Sequence, residues 1–222
     1  SIHKIQVPGD YILKDEMERH IIEEERRGKV DQTIGEKKAV FADFLTLFGE
    51  DIGLNAITSD DVTTRWRATE FRRPNKKYEG RTLSLARLEK RRGYLRKFFD
   101  GAIRSGRYKW ANPMAQEMAT KNEIRDATTP YKEFTSEDLQ KLFGSGYTTH
   151  MNKPDWYWPP LIALFSGARL GELGNLQLRT FEIRDGVMVF EILDGKTNAS
   201  KRSVPVHSQL IELGLWDFAE SL

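Results

Sequence analysis

Residues 65–109 hold 16 lysines and arginines against 4 acids, a net of +12 in a chain whose total is +2. Ammonium and guanidinium groups at that density bind phosphate, and their natural partner is a polyanion. The cations are ordered along the chain. Arg87, Lys90, Arg91, Lys97 and Arg104 recur with Tyr94 at helical spacing, on the face opposite Leu85, Leu88, Leu95, Phe98, Phe99, Ala102 and Ile103. Arg65, Arg72, Arg73, Lys76 and Lys77 supply a second basic segment just upstream. This pattern predicts a nucleic-acid surface in preference to a solvated charge run. Its lysines and arginines contact phosphates and release counterions, and Arg87 or Arg91 reaches base edges in a major groove. The flanks are acidic: residues 1–64 hold 8 Lys/Arg and 14 Asp/Glu, and residues 110–222 hold 11 and 15.

A second constellation lies further on. It comprises Ser166-Gly-Ala-Arg-Leu-Gly-Glu-Leu-Gly-Asn-Leu176 and Asp194-Gly-Lys-Thr-Asn-Ala-Ser-Lys-Arg-Ser-Val-Pro-Val-His207. Taken singly, Arg169 reads as a helix-start arginine paired with Glu172, and Lys196 as a hairpin-tip lysine. Taken together, the two stretches resemble the tyrosine recombinases, the phage-integrase family. The first resembles that family's Thr/Ser-Gly-x-Arg-x-x-Glu-Leu-x-x-Leu box. The second resembles its β-hairpin, of the form Lys-Thr-x-x-Ser-x-Arg-x-Val-Pro, seen in integrases of bacterial mobile elements and prophages. Residues about 34–115 resemble the family's helical core-binding domain, ending in the usual Asn112-Pro113.

The resemblance implies a chemistry. Such enzymes cut DNA by attack of a tyrosine on a phosphodiester, leave a 3′-phosphotyrosine and a 5′-hydroxyl, and rejoin by attack of a second hydroxyl. It implies no metal and no cofactor. By resemblance, Arg169 neutralises charge growing on the phosphate oxygens, for which a planar guanidinium fork is suited. Lys196 is the general acid for the departing 5′ oxygen; Lys201 competes for that role, and the Gly-Lys-Thr match favours Lys196. Glu172 supports the site by fixing Arg169, and Arg202 contacts phosphate. The implied partners are double-stranded DNA and further recombinase protomers assembled on it. One departure is large. The family's second motif, His/Lys-x-x-Arg, and its tyrosine are missing, since the last histidine, His207, has Leu210 three residues on and no tyrosine follows Tyr157. The chain is therefore expected to be a fragment that binds DNA and does not cleave it. The alternatives are a naturally truncated integrase-like binding module, a transcription factor with an accidental match, and an RNA binder.

These residues need elements to hold them. Apolar spacing predicts helices over about 11–27, 36–48, 59–69 and 82–107, with a basic loop at Arg72-Arg-Pro-Asn-Lys-Lys77 broken by Pro74. Thr135-Ser-Glu-Asp138 resembles a capping box. Pro154 to Pro160 reads as an aromatic loop leading to a helix that ends at Ser166-Gly167, and a short helix over about 170–176 follows. Val187–Leu193 and Arg202–Val206 read as strands, the second an edge because Pro205 has no N–H to donate. Ser208 is expected to cap a final helix running towards Leu222, with Leu210, Leu213, Leu215, Trp216 and Phe218 expected to expose apolar surface. The expected fold is mainly α with a small β-hairpin or sheet: a helical core-binding domain, then a truncated α+β recombinase catalytic domain. The expected divisions are an N-terminal helical segment at 1–30, either the end of an arm-binding region or a packing helix, the core-binding domain at 31–115, a linker at 116–130 and the catalytic part at 131–222.

Composition closes off other classes. With 39% hydrophobic and 31% charged residues, the chain is too apolar for disorder, and no apolar run suits a membrane span. Ser1-Ile-His-Lys lacks a signal-peptide core, so a cytoplasmic location is expected. The absence of cysteine excludes disulfides, thiol catalysis and thiolate metal sites. The four histidines show no metal-ligand spacing, so no metal site is expected.

Overall fold

A computed structural model describes residues 11–193 and 201–221. The chain divides into two compact units, Ser1–Tyr131 and Lys132–Leu222.

In the first unit, α1 (Leu13–Arg26), α2 (Asp31–Phe48) and α5 (Leu85–Arg104) enclose an aromatic core. Helix α1, acidic and thinly apolar, buries Leu13, Met17 and Ile21 in that core, so it is a packing helix of this unit. Phe41, Phe44, Phe98, Phe99 and Tyr108 meet largely edge-to-face, with Phe41 and Phe98 centred 5.5 Å apart. The Tyr108 hydroxyl donates to the Ile57 carbonyl at 2.6 Å, so this buried phenol is satisfied.

Between α2 and α5 runs a helical stretch of three parts. The single turn α3 (Ser59–Asp61) opens with a capping box from Thr58 to Asp61. A π-helical segment follows, Val62–Arg67, and then α4 (Ala68–Phe71). The Thr63 and Thr64 hydroxyls donate back to the Ser59 and Asp60 carbonyls, and Trp66 is buried. Residues 116–130, expected as a linker, carry a helix of their own. This is α6 (Lys121–Ala127), capped by Thr120 and Glu123, and Met118 just before it is buried in the core. Thr120 and Glu123 make both halves of the capping box, a local signal within the linker expectation.

In the second unit, Thr135 and Asp138 form the expected capping box of α7 (Ser136–Phe143), and the one-turn α8 (Tyr147–His150) follows. Helix α9 (Pro154–Ser166) takes in the whole stretch expected as an aromatic loop. Pro154 stands at the first helical position, where its missing N–H costs nothing. Trp158 faces the core. Helix α10 (Leu170–Gly174) leads to a three-stranded antiparallel sheet in the order β1 (Phe181–Arg184), β2 (Val187–Ile192), β3 (Arg202–Pro205).

Strand β3 is an edge, as Pro205 requires, and pairs Arg202 with Ile192 and Val204 with Phe190. Strand β1 was not expected. Its turn, Asp185-Gly186, has both residues at positive φ, 53° and 78°, the two-residue turn that joins twisted strands. The last segment is two helices, α11 (Ser208–Glu212) and α12 (Leu215–Glu220), separated at Gly214 with φ +88°. His207, not the expected Ser208, caps α11: its Nδ1 accepts from the Gln209 N–H, and Ser208 is the first helical residue. The expected apolar exposure is corrected in part: Leu210 and Leu215 are buried and Phe218 stacks on Trp158, because α11 and α12 fold onto the unit's own core, whereas Leu213 stays exposed.

Candidate nucleic-acid interface

In the second unit the site begins where α9 stops. Gly167 takes the left-handed conformation, φ +64°, and the Ser166 hydroxyl accepts from the Ala168 N–H at 3.1 Å. The chain turns there and sets Arg169 at the start of α10. The Glu172 carboxylate accepts the Arg169 backbone N–H at 3.0 Å and its Nη1 at 2.8 Å. This is one half of a capping box, since a guanidinium has no acceptor to complete it. From β3, Arg202 donates to the same carboxylate through Nη2 at 3.0 Å.

Glu172 is thus nearly buried, its side chain 5% exposed, beneath two guanidinium groups, of which Arg169 is 72% exposed and Arg202 35%. The hydrogen bonds from Arg202 and from the Arg169 backbone hold the Glu172 carboxyl down to about 2. The carboxylate is therefore ionised throughout the neutral range. It uses one side-chain donor of Arg169 and leaves the rest of that fork toward solvent. Lys196 lies outside the described residues, and Lys201 is exposed.

In the first unit the structure corrects the expected basic rail. Arg87, Lys90 and Tyr94 all turn to Glu36 on α2: Lys90 Nζ lies 2.7 Å and Arg87 Nη1 3.3 Å from its oxygens, and the Tyr94 hydroxyl donates at 2.6 Å. Hydrogen bonds from Lys90 and Tyr94 hold the Glu36 carboxyl down to about 2. Arg91 is buried, with its Nε 2.5 Å from Glu70 and its Nη2 2.7 Å from Asp43. Arg73 joins the same pair, 2.8 Å from Glu70 and 2.9 Å from Asp43. The physical reason is that α2 and α4, with acids of their own, fold against this face of α5. Arg91 and Arg73, read as facing a partner, face the protein instead, whereas Arg87 and Lys90 stay about half exposed beside Glu36.

The other cations are placed differently. Arg65 donates to the Leu47 carbonyl at 2.8 Å and lies over the Phe48 ring. Lys97 and Arg104 line a groove of about 710 Å³ between α1 and α5, with Arg26 and Glu23. Arg72, Lys76 and Lys77 stand exposed around the segment between α4 and α5. Two residues there escaped the sequence reading: Tyr78, exposed, and Arg81, whose guanidinium lies near the Tyr78 ring as Lys77 does. The signal available was Asn75 and Gly80, a turn-forming pair bracketing them. Among the described residues no cluster of His, Cys, Asp or Glu suits a metal ion, and no helix is long and apolar enough to cross a membrane.

No protein-family model matches the sequence, and no curated protein matches it. Solved structures match its fold. A lambda integrase dimer bound to a COC′ core site aligns with a TM-score of 0.60 at 18% identity, covering 88% of this chain and 49% of that one. A Tn1549 transposon integrase in complex with a circular intermediate DNA aligns at 0.62 and 16%, covering 90% of this chain and 63% of that one. A lambda integrase tetramer bound to a Holliday junction aligns at 0.62 and 18%, covering 93% and 57%. The chain has the fold of the integrase-type tyrosine recombinases over most of its length, mainly helical with a small antiparallel sheet, and it spans about half to two thirds of those chains.

Proposed function

We propose that this chain is the DNA-gripping part of a site-specific tyrosine recombinase, which breaks and rejoins duplex DNA through a 3′-phosphotyrosine. In this reading Arg169 and Arg202 hold the scissile phosphate, Glu172 fixes both without touching DNA, and Lys196 protonates the departing 5′ oxygen. The first unit binds the duplex beside the cleavage point, and several protomers assemble on one site in the cytoplasm. The parent belongs to a mobile element or prophage. The residues here bind DNA and do not cut it, since they include no tyrosine after Arg169 and no His/Lys-x-x-Arg motif.

One observation carries the reading: a nearly buried carboxylate ties down two guanidinium groups from different elements while the Arg169 fork stays open. Two cations fixed in advance around one point cost little reorganisation when a phosphate arrives, which is how electrostatic stabilisation of phosphoryl transfer works. The fold shared with the DNA-complexed integrases supports the same partner.

The test is binding of a 30-base-pair duplex across a salt series, with a nicked duplex as a trap for covalent product. The expected result is salt-dependent binding that duplex DNA competes better than single-stranded RNA, with no covalent adduct. An adduct overturns the claim of inactivity. Failure to bind duplex overturns the whole reading.

A further inference from the structure

We propose that the hairpin of residues 73–83 grips the sugar–phosphate backbone of duplex DNA through Lys77 and Arg81, and that Tyr78 is the positioning residue that gathers those two cations. This deepens the DNA-binding reading above and rests on it.

The hairpin is built to hold a shape. Asn75 N–H donates to the Arg81 carbonyl at 2.7 Å, Leu83 N–H donates to the Arg73 carbonyl at 3.1 Å, and Pro74 and Thr82 form a bridge between them. Within the loop, Lys77 N–H donates to Asn75 Oδ1 at 3.0 Å and Tyr78 N–H to the Asn75 carbonyl at 3.2 Å. Gly80, at φ +71°, makes the return that a side chain would strain.

The base is anchored as well. Arg73 is tied to Glu70 and Asp43, and Glu70, wholly buried, also receives Arg91. Arg73 and Arg91, expected on DNA, thus act as the footing of the hairpin.

At the tip the chemistry changes. Tyr78 is 49% exposed, with Lys77 Nζ 5.5 Å and Arg81 Cζ 5.9 Å from its ring centroid. Both cations lie within cation–π reach of one ring. Neither forms a salt bridge among the described residues, and neither does Glu79, the one acid of the hairpin. Their charge is therefore unspent by the protein, in contrast to Arg87 and Lys90, which share Glu36. A half-exposed ring with two unneutralised cations within 6 Å of its centre gathers two charges for neighbouring phosphates, and each phosphate so neutralised releases counterions.

The experiment uses the whole chain and a 30-base-pair duplex, with affinity measured across a salt series. Lys77→Gln with Arg81→Gln should weaken binding at least tenfold. It should also flatten the slope of log affinity against log salt by about two, near 0.9 for each phosphate that is no longer neutralised. Tyr78→Leu should weaken binding several-fold and flatten the slope, and Tyr78→Phe, which keeps the ring, should restore both. Arg87→Gln with Lys90→Gln should leave the slope unchanged. Unaltered circular dichroism melting shows that the variants fold. A wild-type slope in the Lys77/Arg81 variant, or in Tyr78→Leu, overturns this proposal while the DNA-binding reading stands. Equal competition by an acidic polypeptide overturns the choice of DNA as the hairpin's partner. Absence of duplex binding by the unaltered chain removes both readings together.

Discussion

Two arginine–carboxylate clusters, one in each unit, share a buried carboxylate and differ in where the guanidinium lies. In the first, the guanidinium goes inside: the Arg91 side chain is 8% exposed and spans Glu70, wholly buried, and Asp43. In the second, the carboxylate goes inside and the guanidinium stays out, with Glu172 beneath Arg169 and Arg202. An arginine that is itself buried has its donors consumed by the protein. An exposed arginine that leans on a buried carboxylate, as Arg169 does, is aimed and, in the DNA-binding reading, keeps donors for a phosphate. The same residue types are thus structural in the Arg91 cluster and, in the DNA-binding reading, available in the Arg169 cluster.

The largest test of that contrast is Glu70→Ala. It leaves Arg91 buried without its main partner, and removal of one member of a buried pair destabilises by about 3–5 kcal/mol. Urea unfolding of the whole chain should show the loss in its first unit, read from hydrogen-exchange protection of α2 and α5. An unchanged midpoint would place Arg91 among the available arginines.

Acid separates the units next. Burial, and then Lys37, lowers His20 from 6.5 to about 4. The unfolded chain therefore binds that proton first, and this contribution to the first unit's stability falls as pH drops from 6.5 to 4. Glu172 is held at about 2, below the ordinary 4.5. Its contribution to the second unit is intact above about 4.5 and is lost as pH falls towards 2. The expected outcome is that exchange protection weakens in α1 and α5 at a higher pH than in α10. His20→Gln should flatten the first response and leave the second.

Glu172→Gln comes third. It should keep the second unit folded near neutral pH, remove the acid response below 4.5, and weaken duplex binding as both guanidinium groups lose their anchor. The smallest effect on stability belongs to Arg169→Ala. Its exposed side chain predicts a change within about 0.5 kcal/mol, together with a salt slope for duplex binding that is shallower by about one. A large drop in stability would mean that Arg169 belongs with Arg91.

What the sequence made legible was local. The Phe41, Phe44, Phe48 and Phe98, Phe99 spacings are helical, and those helices form the core. Thr135 and Asp138 stand three apart and close a capping box. Pro205 marked an edge strand, and β3 is one. The box around Arg169 placed a helix start with Glu172 three residues on, and the structure puts that carboxylate against the Arg169 N–H.

What stayed hidden was long-range, or sat where a weaker local signal was passed over. Asp43 and Arg91 are 48 residues apart and Glu36 and Tyr94 are 58 apart, so a helical charge pattern carried no trace of its partners. A +12 segment beside a −6 segment was a hint that the two would fold together. The Asp185-Gly186 dipeptide signalled β1, whose four residues, Phe181-Glu-Ile-Arg184, alternate over too short a run to stand out and are mostly exposed. The prolines of α9 argued for a loop, and the burial of Trp158, Leu161 and Ile162 outweighed them.

The π-helical segment Val62–Arg67 has a consequence for chain length. A π turn carries one residue more than the α turn it replaces. Here the Thr63 and Thr64 hydroxyls brace the turn that holds that residue. Deleting a single residue, Thr64 for example, gives the chain the length of an uninterrupted α-helix. The residues after it keep the direction they have now, because the π turn had absorbed the extra residue. A deletion elsewhere in this helical stretch, with no extra residue to give up, turns everything after it by about 100°. Glu70 then leaves its place under Arg91, and the hairpin base at Arg73 leaves with it. The π turn is therefore a place where the stretch can lose a residue without re-aiming the basic hairpin.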